Sequence, residues 1–121
     1  MLIGELAART GASRRMIRYY EQQGLLESAR HANGYREYDD QAPVVVGHIR
    51  KLLAAGLPTA TIAGLLQCVH GDPEQPVLSG CPGMVDGLLA ERARVAAEIS
   101  RLSTSQKVLD TLLEAAVHGP R

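Results

Sequence analysis

Apolar positions along this chain follow two regimes: short amphipathic segments broken by glycine through the first two thirds, then one long unbroken period. Ile3, Leu6 and Ala7 fall on one side of residues 3 to 10, which predicts a short helix. Gly11-Ala12 turns the chain into a second short helix. Ser13 is its predicted N-cap, because a hydroxyl accepts from the free amides of a first turn, and Gly24 its stop, because glycine takes the left-handed conformation at no steric cost. Met16, Ile17 and Tyr20 share the predicted buried side. Arg14, Arg15 and Arg18 are left on or near the outer side, and cations packed this closely repel one another unless an anion is expected.

Downstream, Asn33-Gly34 is a tight-turn signal, and Tyr35-Arg36-Glu37-Tyr38 alternates aromatic with charged residues as a half-buried strand does. A small hairpin is predicted there, with Arg30 and Arg36 at its edges, Tyr35 as a further phosphate donor and Tyr38 sealing the core. A third helix runs from a cap at Asp39 or Asp40 to about Ala54, with Pro43 in its first turn and Val44, Val45, Ile49, Leu52 and Leu53 apolar. His48, Arg50 and Lys51 fall on its exposed side. Gly56 ends it, and Thr59 caps a fourth helix that buries Ile62, Leu65 and Leu66.

From Val69 to Gly80 the glycines and prolines mark a connector with no regular element. Beyond it, with Pro82 in the first turn, nothing stops a helix until about Val117. Val85, Leu88, Arg92, Val95, Ile99, Leu102, Gln106, Leu109, Leu113 and Ala116 recur along it at spacings of three and four. Such a seam cannot bury itself and asks for a partner helix; a second copy of the chain is expected, since little other chain remains to cover it. Leu88, Val95, Ile99, Leu102, Leu109 and Leu113 are the expected dimerisation residues, with Arg92 and Gln106 fixing register.

Charge sharpens this picture. The net charge is zero over 121 residues, but residues 9 to 36 hold six arginines against two glutamates, so the basic charge is concentrated in the first third. All four tyrosines lie there too, and with no Phe or Trp the core must be built from Leu, Ile, Val and Ala. No apolar run is long enough for a signal peptide or a membrane span, and two cysteines make no disulfide framework, so a reducing cytoplasm is expected.

Two short helices joined by a glycine-containing turn, the second loaded with arginine, read as a helix-turn-helix with its second helix in a major groove. The alternatives are an ordinary helical hairpin, an architectural DNA binder that senses nothing, or a coiled-coil interaction module whose arginines only solubilise it. An enzyme is not expected: no nucleophile and base pair stands out, Ser13 is used as a cap, and Glu5 and Glu21 read as solvated helix faces. No cofactor is implied.

Ile3-Gly4-Glu5-Leu6-Ala7, Ile17-Arg18-Tyr19-Tyr20-Glu21 with Gly24-Leu25-Leu26, and Asn33-Gly34-Tyr35-Arg36-Glu37-Tyr38, together and in this order, resemble the N-terminal signature of MerR-type transcription regulators. The resemblance covers residues 1 to about 68. It implies a mainly α chain: a winged helix-turn-helix over residues 1–69, a connector over 70–80 and a dimerisation helix over 81–118, paired in the homodimer as an antiparallel coiled coil. It further implies an inverted-repeat site between promoter elements set too far apart, and activation by distorting that DNA so that RNA polymerase engages. Carried onto this sequence, Arg15 and Arg18 become recognition-helix positions, Tyr20 the helix-end contact, and Arg30, Tyr35 and Arg36 wing positions. Arg50 matches a cation of the second wing, whereas Leu53 stands where some members have another arginine.

The effector is not legible. The chain ends His118-Gly119-Pro120-Arg121 with neither the cysteine-containing loop of metal-sensing relatives nor the length for a drug-sensing domain. Cys68, His70 and Cys81 form a candidate sensor cluster, suited in type to a soft metal or to thiol redox chemistry. The plainer alternative is a buried Cys68 and an inert Cys81 beside a helix start.

Overall fold

The computed structural model describes residues 1–79 and 81–119, so Gly80 in the expected connector and the terminal Pro120-Arg121 lie outside the described residues. The chain divides into two compact units, Met1–Cys81 and the segment from Pro82 onward. The first holds α1 (Ile3–Thr10), α2 (Arg14–Gln22), β1 (Ala29–Arg30), β2 (Arg36–Glu37), α3 (Ala42–Ala54), α4 (Thr59–Leu66), β3 (Val69–His70) and β4 (Val77–Leu78). The second is one helix, α5 (Met84–His118).

Leu6, Ile17, Val46, Ile49 and Ile62 are fully buried and Tyr38 almost so, which places one core among α1, α2, α3 and α4 with the first hairpin laid against it. Ile17 and Tyr20 are the buried residues of α2. Met16, expected beside them, is 38 % exposed, because one position is about 100° of helix rotation away from Ile17. Gly24 takes φ +74° and closes α2: its amide reaches the Glu21 carbonyl at 3.0 Å and the Leu25 amide the Tyr20 carbonyl at 2.9 Å, satisfying two end carbonyls.

Three expected helix starts shift. Asp39 does not cap α3; its carboxylate accepts from the Gln41 amide at 2.9 Å, making a turn that leads to Gln41 as N-cap. Thr59 is the first residue of α4, not its cap, because Pro58 before it is extended and supplies the carbonyl taken by the Ile62 amide at 3.0 Å. Pro82 precedes α5 and is not in its first turn, since Gly83 stands in the left-handed region at φ +77° and the helix begins at Met84.

β1 and β2 pair antiparallel, Ala29 opposite Glu37 and Arg30 opposite Arg36. Gly34 supplies the positive φ of the turn, and Asn33 accepts the Tyr35 amide on its own side chain at 3.2 Å. The expected connector is an element after all. β3 and β4 pair antiparallel, Val69 opposite Leu78 and His70 opposite Val77. Strands of two residues carry no alternation, and Gly71, Pro73 and Pro76, which read as breakers, lie in the turn between them.

The wing formed by β1 and β2 is fastened to α2 through one carboxylate. Glu21, expected in solvent, has a side chain only 14 % exposed and lies 3.4 Å from Arg36 Nη1. It also accepts from Ser28 Oγ at 3.1 Å and from the Tyr38 hydroxyl. Burial, together with the adjacent Glu21 carboxylate, pushes the Tyr38 hydroxyl up to about 12.

Glu21→Ala is expected to cost about 1–3 kcal/mol in urea unfolding, because it strands the Tyr38 hydroxyl in the core. The phenol pKa is higher folded than unfolded, so the stability it contributes is complete below the ordinary phenol value of about 10 and drains away as pH climbs toward 12. Midpoints measured across that window should fall less steeply for Tyr38→Phe than for the parent.

Candidate nucleic-acid interface

The turn between α1 and α2 is built from short-range hydrogen bonds. Gly11 donates to the Ala7 carbonyl at 2.9 Å and the Ala12 amide reaches Thr10 Oγ1 at 3.2 Å. Ser13 Oγ accepts the Met16 amide at 3.1 Å, which caps α2 as its sequence predicts. Ala12 is buried against the core, so the turn sets the angle at which α2 leaves α1. This is the helix-turn-helix arrangement.

On the outer side of α2, Arg14, Arg15 and Arg18 are exposed, and so is Arg30 on β1. Among the described residues none of the four has a carboxylate within ion-pair distance. Arg14 lies across Gly4 of α1, where an added Cβ would stand 2.8 Å from its Nη2. A groove opens between α1, α2 and the wing tip, and Gly4, Arg14, Arg18, Gln22, Tyr35 and Arg36 line it. Its walls combine the guanidinium groups of Arg14 and Arg18 with the Tyr35 phenol, donors that suit phosphate oxygens, beside the Glu5 carboxylate, which is paired with Arg9, and Arg36, which is paired with Glu21.

The remaining expected residues are distributed unevenly. Tyr35 is 62 % exposed near the wing tip, while Arg36 is half-buried and shares Glu21 with the wing anchor. Tyr20, the expected helix-end contact, is 3 % exposed and packs in the core; burial raises its hydroxyl, partly offset by the nearby Arg50 guanidinium. Its neighbour Tyr19, at 39 %, is the exposed ring. Arg50 donates to the Thr10 carbonyl and covers Gly11, which makes it a cationic cap on the end of α1. Lys51 reaches the Pro73 carbonyl at 2.9 Å and Glu74 at 3.3 Å. His48 is buried and bonds the Gly71 carbonyl at 2.8 Å through Nε2, not on the exposed side where it was expected.

Cys68 and Cys81, whose pairing and redox state the sequence left open, are joined as a disulfide with Cα atoms 6.1 Å apart. His70 turns to Ser79 Oγ at 3.1 Å. Among the described residues no cluster of three or more metal-ligating side chains occurs, so Cys68, His70 and Cys81 do not assemble a metal site in this state. Along α5, Leu88 is half-buried, and Val95, Ile99, Leu102, Leu109 and Leu113 are exposed.

Sequence reasoning gave Tyr19 no role and missed the partners of Glu21 and Lys51. Tyr19 was within reach of it, since the residue lies next to Arg18 and off the Ile17–Tyr20 stripe. Glu21 and Lys51 were not, because their partners Tyr38 and Pro73 are 17 and 22 positions away.

Residues 1–68 match the family model described as MerR HTH family regulatory protein. The chain is 31 % identical over 113 residues to the mercuric resistance operon regulatory protein of Bacillus cereus, covering 93 % of this chain and 82 % of that one. It is 32 % identical over 114 residues to the HTH-type transcriptional regulator ZntR of Escherichia coli K12, covering 93 % and 78 %. Among solved structures, a transcription regulator from Ralstonia metallidurans CH34 in complex with lead(II) aligns with a TM-score of 0.75 at 26 % identity, over 95 % of this chain and 86 % of that one. The fold is also that of a MerR family regulator lacking the sensor domain and bound to promoter DNA, with a TM-score of 0.53 at 20 % identity over 98 % and 94 %. No helix among the described residues is long and apolar enough to cross a membrane. With its helix-turn-helix, its wing and these matches, the chain belongs to the MerR HTH family of transcription regulators, which bind promoter DNA.

Proposed function

We propose that two copies of this chain bind an inverted-repeat promoter site and control transcription by distorting the DNA between the promoter elements, so that RNA polymerase engages. The observation that carries the reading is the set of exposed arginines without acidic partners, Arg14, Arg15 and Arg18 on α2 and Arg30 on the wing. Such a surface is electrostatically unfavourable alone and favourable against a polyanion. Arg18, midway along α2, is the proposed base reader; Arg15 accompanies it, and Arg14, Arg30, Tyr35 and Arg36 hold the backbone. Tyr20 and Arg50 support these contacts from behind.

Pairing follows from α5. Its 35 residues carry the heptad seam with no buried position, and about 50 Å of apolar stripe is a strong demand for a second helix. An antiparallel pair of such helices would put one DNA-binding unit at each end, and two units a fixed distance apart select an inverted repeat. For the signal, a soft metal is the second reading, favoured by relatives described by mercuric resistance and by bound lead(II). A metal would need Cys68 and Cys81 as thiolates, and here they are bonded to each other.

Purified protein incubated with fragmented genomic DNA at physiological salt is expected to retain an inverted repeat within an over-long promoter spacer; recovery of DNA with no common sequence would favour an architectural role. Arg18→Ala should weaken the cognate site by about 1–3 kcal/mol while leaving random duplex nearly unchanged, and equal losses on both would remove it as a base reader. Arg30→Ala should weaken both alike and flatten the logarithmic salt dependence by about 0.9 for each phosphate that is no longer neutralised. Ile99→Asp should sediment as a monomer with poor DNA affinity, and a retained dimer would mean the seam lies elsewhere.

A further inference from the structure

The feature that DNA binding leaves unused is the Cys68–Cys81 crosslink at the base of the β3–β4 hairpin. The hairpin has little else to hold it together. Its ladder is two residue pairs long, Ser79 adds one backbone bond to the Cys68 carbonyl at 2.9 Å and one side-chain bond to His70 at 3.1 Å, and Val77 and Leu78 are exposed. A ribbon of this size is marginal in water without a staple or a surface to pack on.

Its tip has such a surface in α3. His48 bonds the Gly71 carbonyl, Lys51 bonds the Pro73 carbonyl and Glu74, and the Pro73 ring occupies the space above Gly47, where an added Cβ would meet it at 2.7 Å. The residue between His48 and Lys51 on the docking side is Arg50, whose guanidinium holds the Thr10 carbonyl at the helix-turn-helix turn. Adjacent residues of α3 therefore grip the hairpin and the DNA-reading motif. A disulfide in a regulator that acts on bacterial promoter DNA sits where small thiols and thioredoxin keep cysteines reduced, and bonds found there are transient or redox-sensing.

We propose that Cys68 and Cys81 form a reversible thiol–disulfide switch whose reduction by a low-molecular-weight thiol releases the hairpin from α3 and weakens binding to promoter DNA. The idea rests on the DNA-binding reading above. Cys68 is 4 % exposed and Cys81 half-buried, so the incoming thiolate attacks Cys81 Sγ and Cys68 leaves as the thiolate, which takes a proton. A second thiol then attacks the mixed disulfide and frees Cys81. Two thiols are consumed and one small disulfide is produced, while the protein gains two electrons and two protons. A small disulfide runs the same steps backwards. With the crosslink cut, Ser79 is left with its bonds to the Cys68 carbonyl and to His70, Cys81 loses its covalent tie to Cys68, and the His48 and Lys51 contacts lose their fixed partners. The helix-turn-helix then meets DNA less preorganised.

The test uses the full chain and the duplex recovered from genomic DNA. Thiols are counted under denaturing conditions, and affinity is followed by fluorescence anisotropy before dithiothreitol, after it, and after reoxidation with oxidised glutathione. The expected result is no free thiol, then two with affinity about tenfold lower, then none with affinity restored. Hydrogen exchange at the Ser79 and Val77 amides should quicken on reduction. The Cys68→Ala/Cys81→Ala protein should stay at the reduced affinity and ignore dithiothreitol; the single Cys81→Ser variant serves the same purpose if the double variant does not fold. Complete reduction with affinity and exchange both unchanged overturns the switch and leaves the DNA-binding reading standing. Failure to hold any duplex in either redox state overturns both.

Discussion

The carboxylate of Glu21 is the constraint on which the proposed DNA-facing surface depends. A recognition helix and a wing can contact one duplex together only if the angle between them is fixed, and strands of two residues are too short to fix it themselves. Glu21 stands at the end of α2 and draws in Ser28 before the wing, Arg36 within it and Tyr38 after it. Tyr38 is buried among Leu6, Ile17 and Val46, so the same phenol that closes the polar cluster is a wedge in the apolar core. A surface feature is thereby set by core packing. Arg36 also becomes partly neutralised, which leaves Arg14, Arg15, Arg18 and Arg30 as the unopposed cations of this face.

Behind that face, α3 does for the α1–α2 turn what Glu21 does for the wing. Arg50 places a cation on the carbonyl end of α1, where the helix dipole is negative and an end carbonyl needs a donor. His48 and Lys51 extend the grip of α3 to the second hairpin. Polar residues that belong on a solvent face by their period are thus absorbed as fasteners, one for the turn and two for the loop.

Much of the first unit was legible because it is local. The Ser13 cap, the Gly24 stop, the Asn33-Gly34 turn and the α2 stripe of Ile17 and Tyr20 each follow from residues within a few positions of one another. What escaped is long-range or aperiodic. Nothing near Glu21 announces Tyr38, and nothing in Val69–Leu78 distinguishes a stapled hairpin from a linker until Cys68 and Cys81 are seen together. Tyr20 carries two expectations at once, the buried stripe and the helix-end contact. A tyrosine has an apolar body and a polar tip, and its place on the buried stripe outweighed the hydroxyl.

The uneven charge of the chain is best understood as a division of labour. With zero net charge, the chain has no long-range attraction for DNA as a whole body, so attraction must come from the local field of the first unit. Along α5 some of the charges close on themselves: Arg94 pairs with Glu91, and Arg101 with Glu98. These i to i+3 pairs solvate the faces flanking the seam and leave its apolar residues as the unsatisfied demand of that helix. The first unit shows the inverse pattern, with a buried apolar core and, among the described residues, no carboxylate within ion-pair distance of Arg14, Arg15, Arg18 or Arg30. One unit lacks an anion and the other lacks an apolar partner. A single copy satisfies neither, and two copies on a duplex satisfy both, which is the physical reason for coupling dimerisation to DNA binding in the reading proposed above.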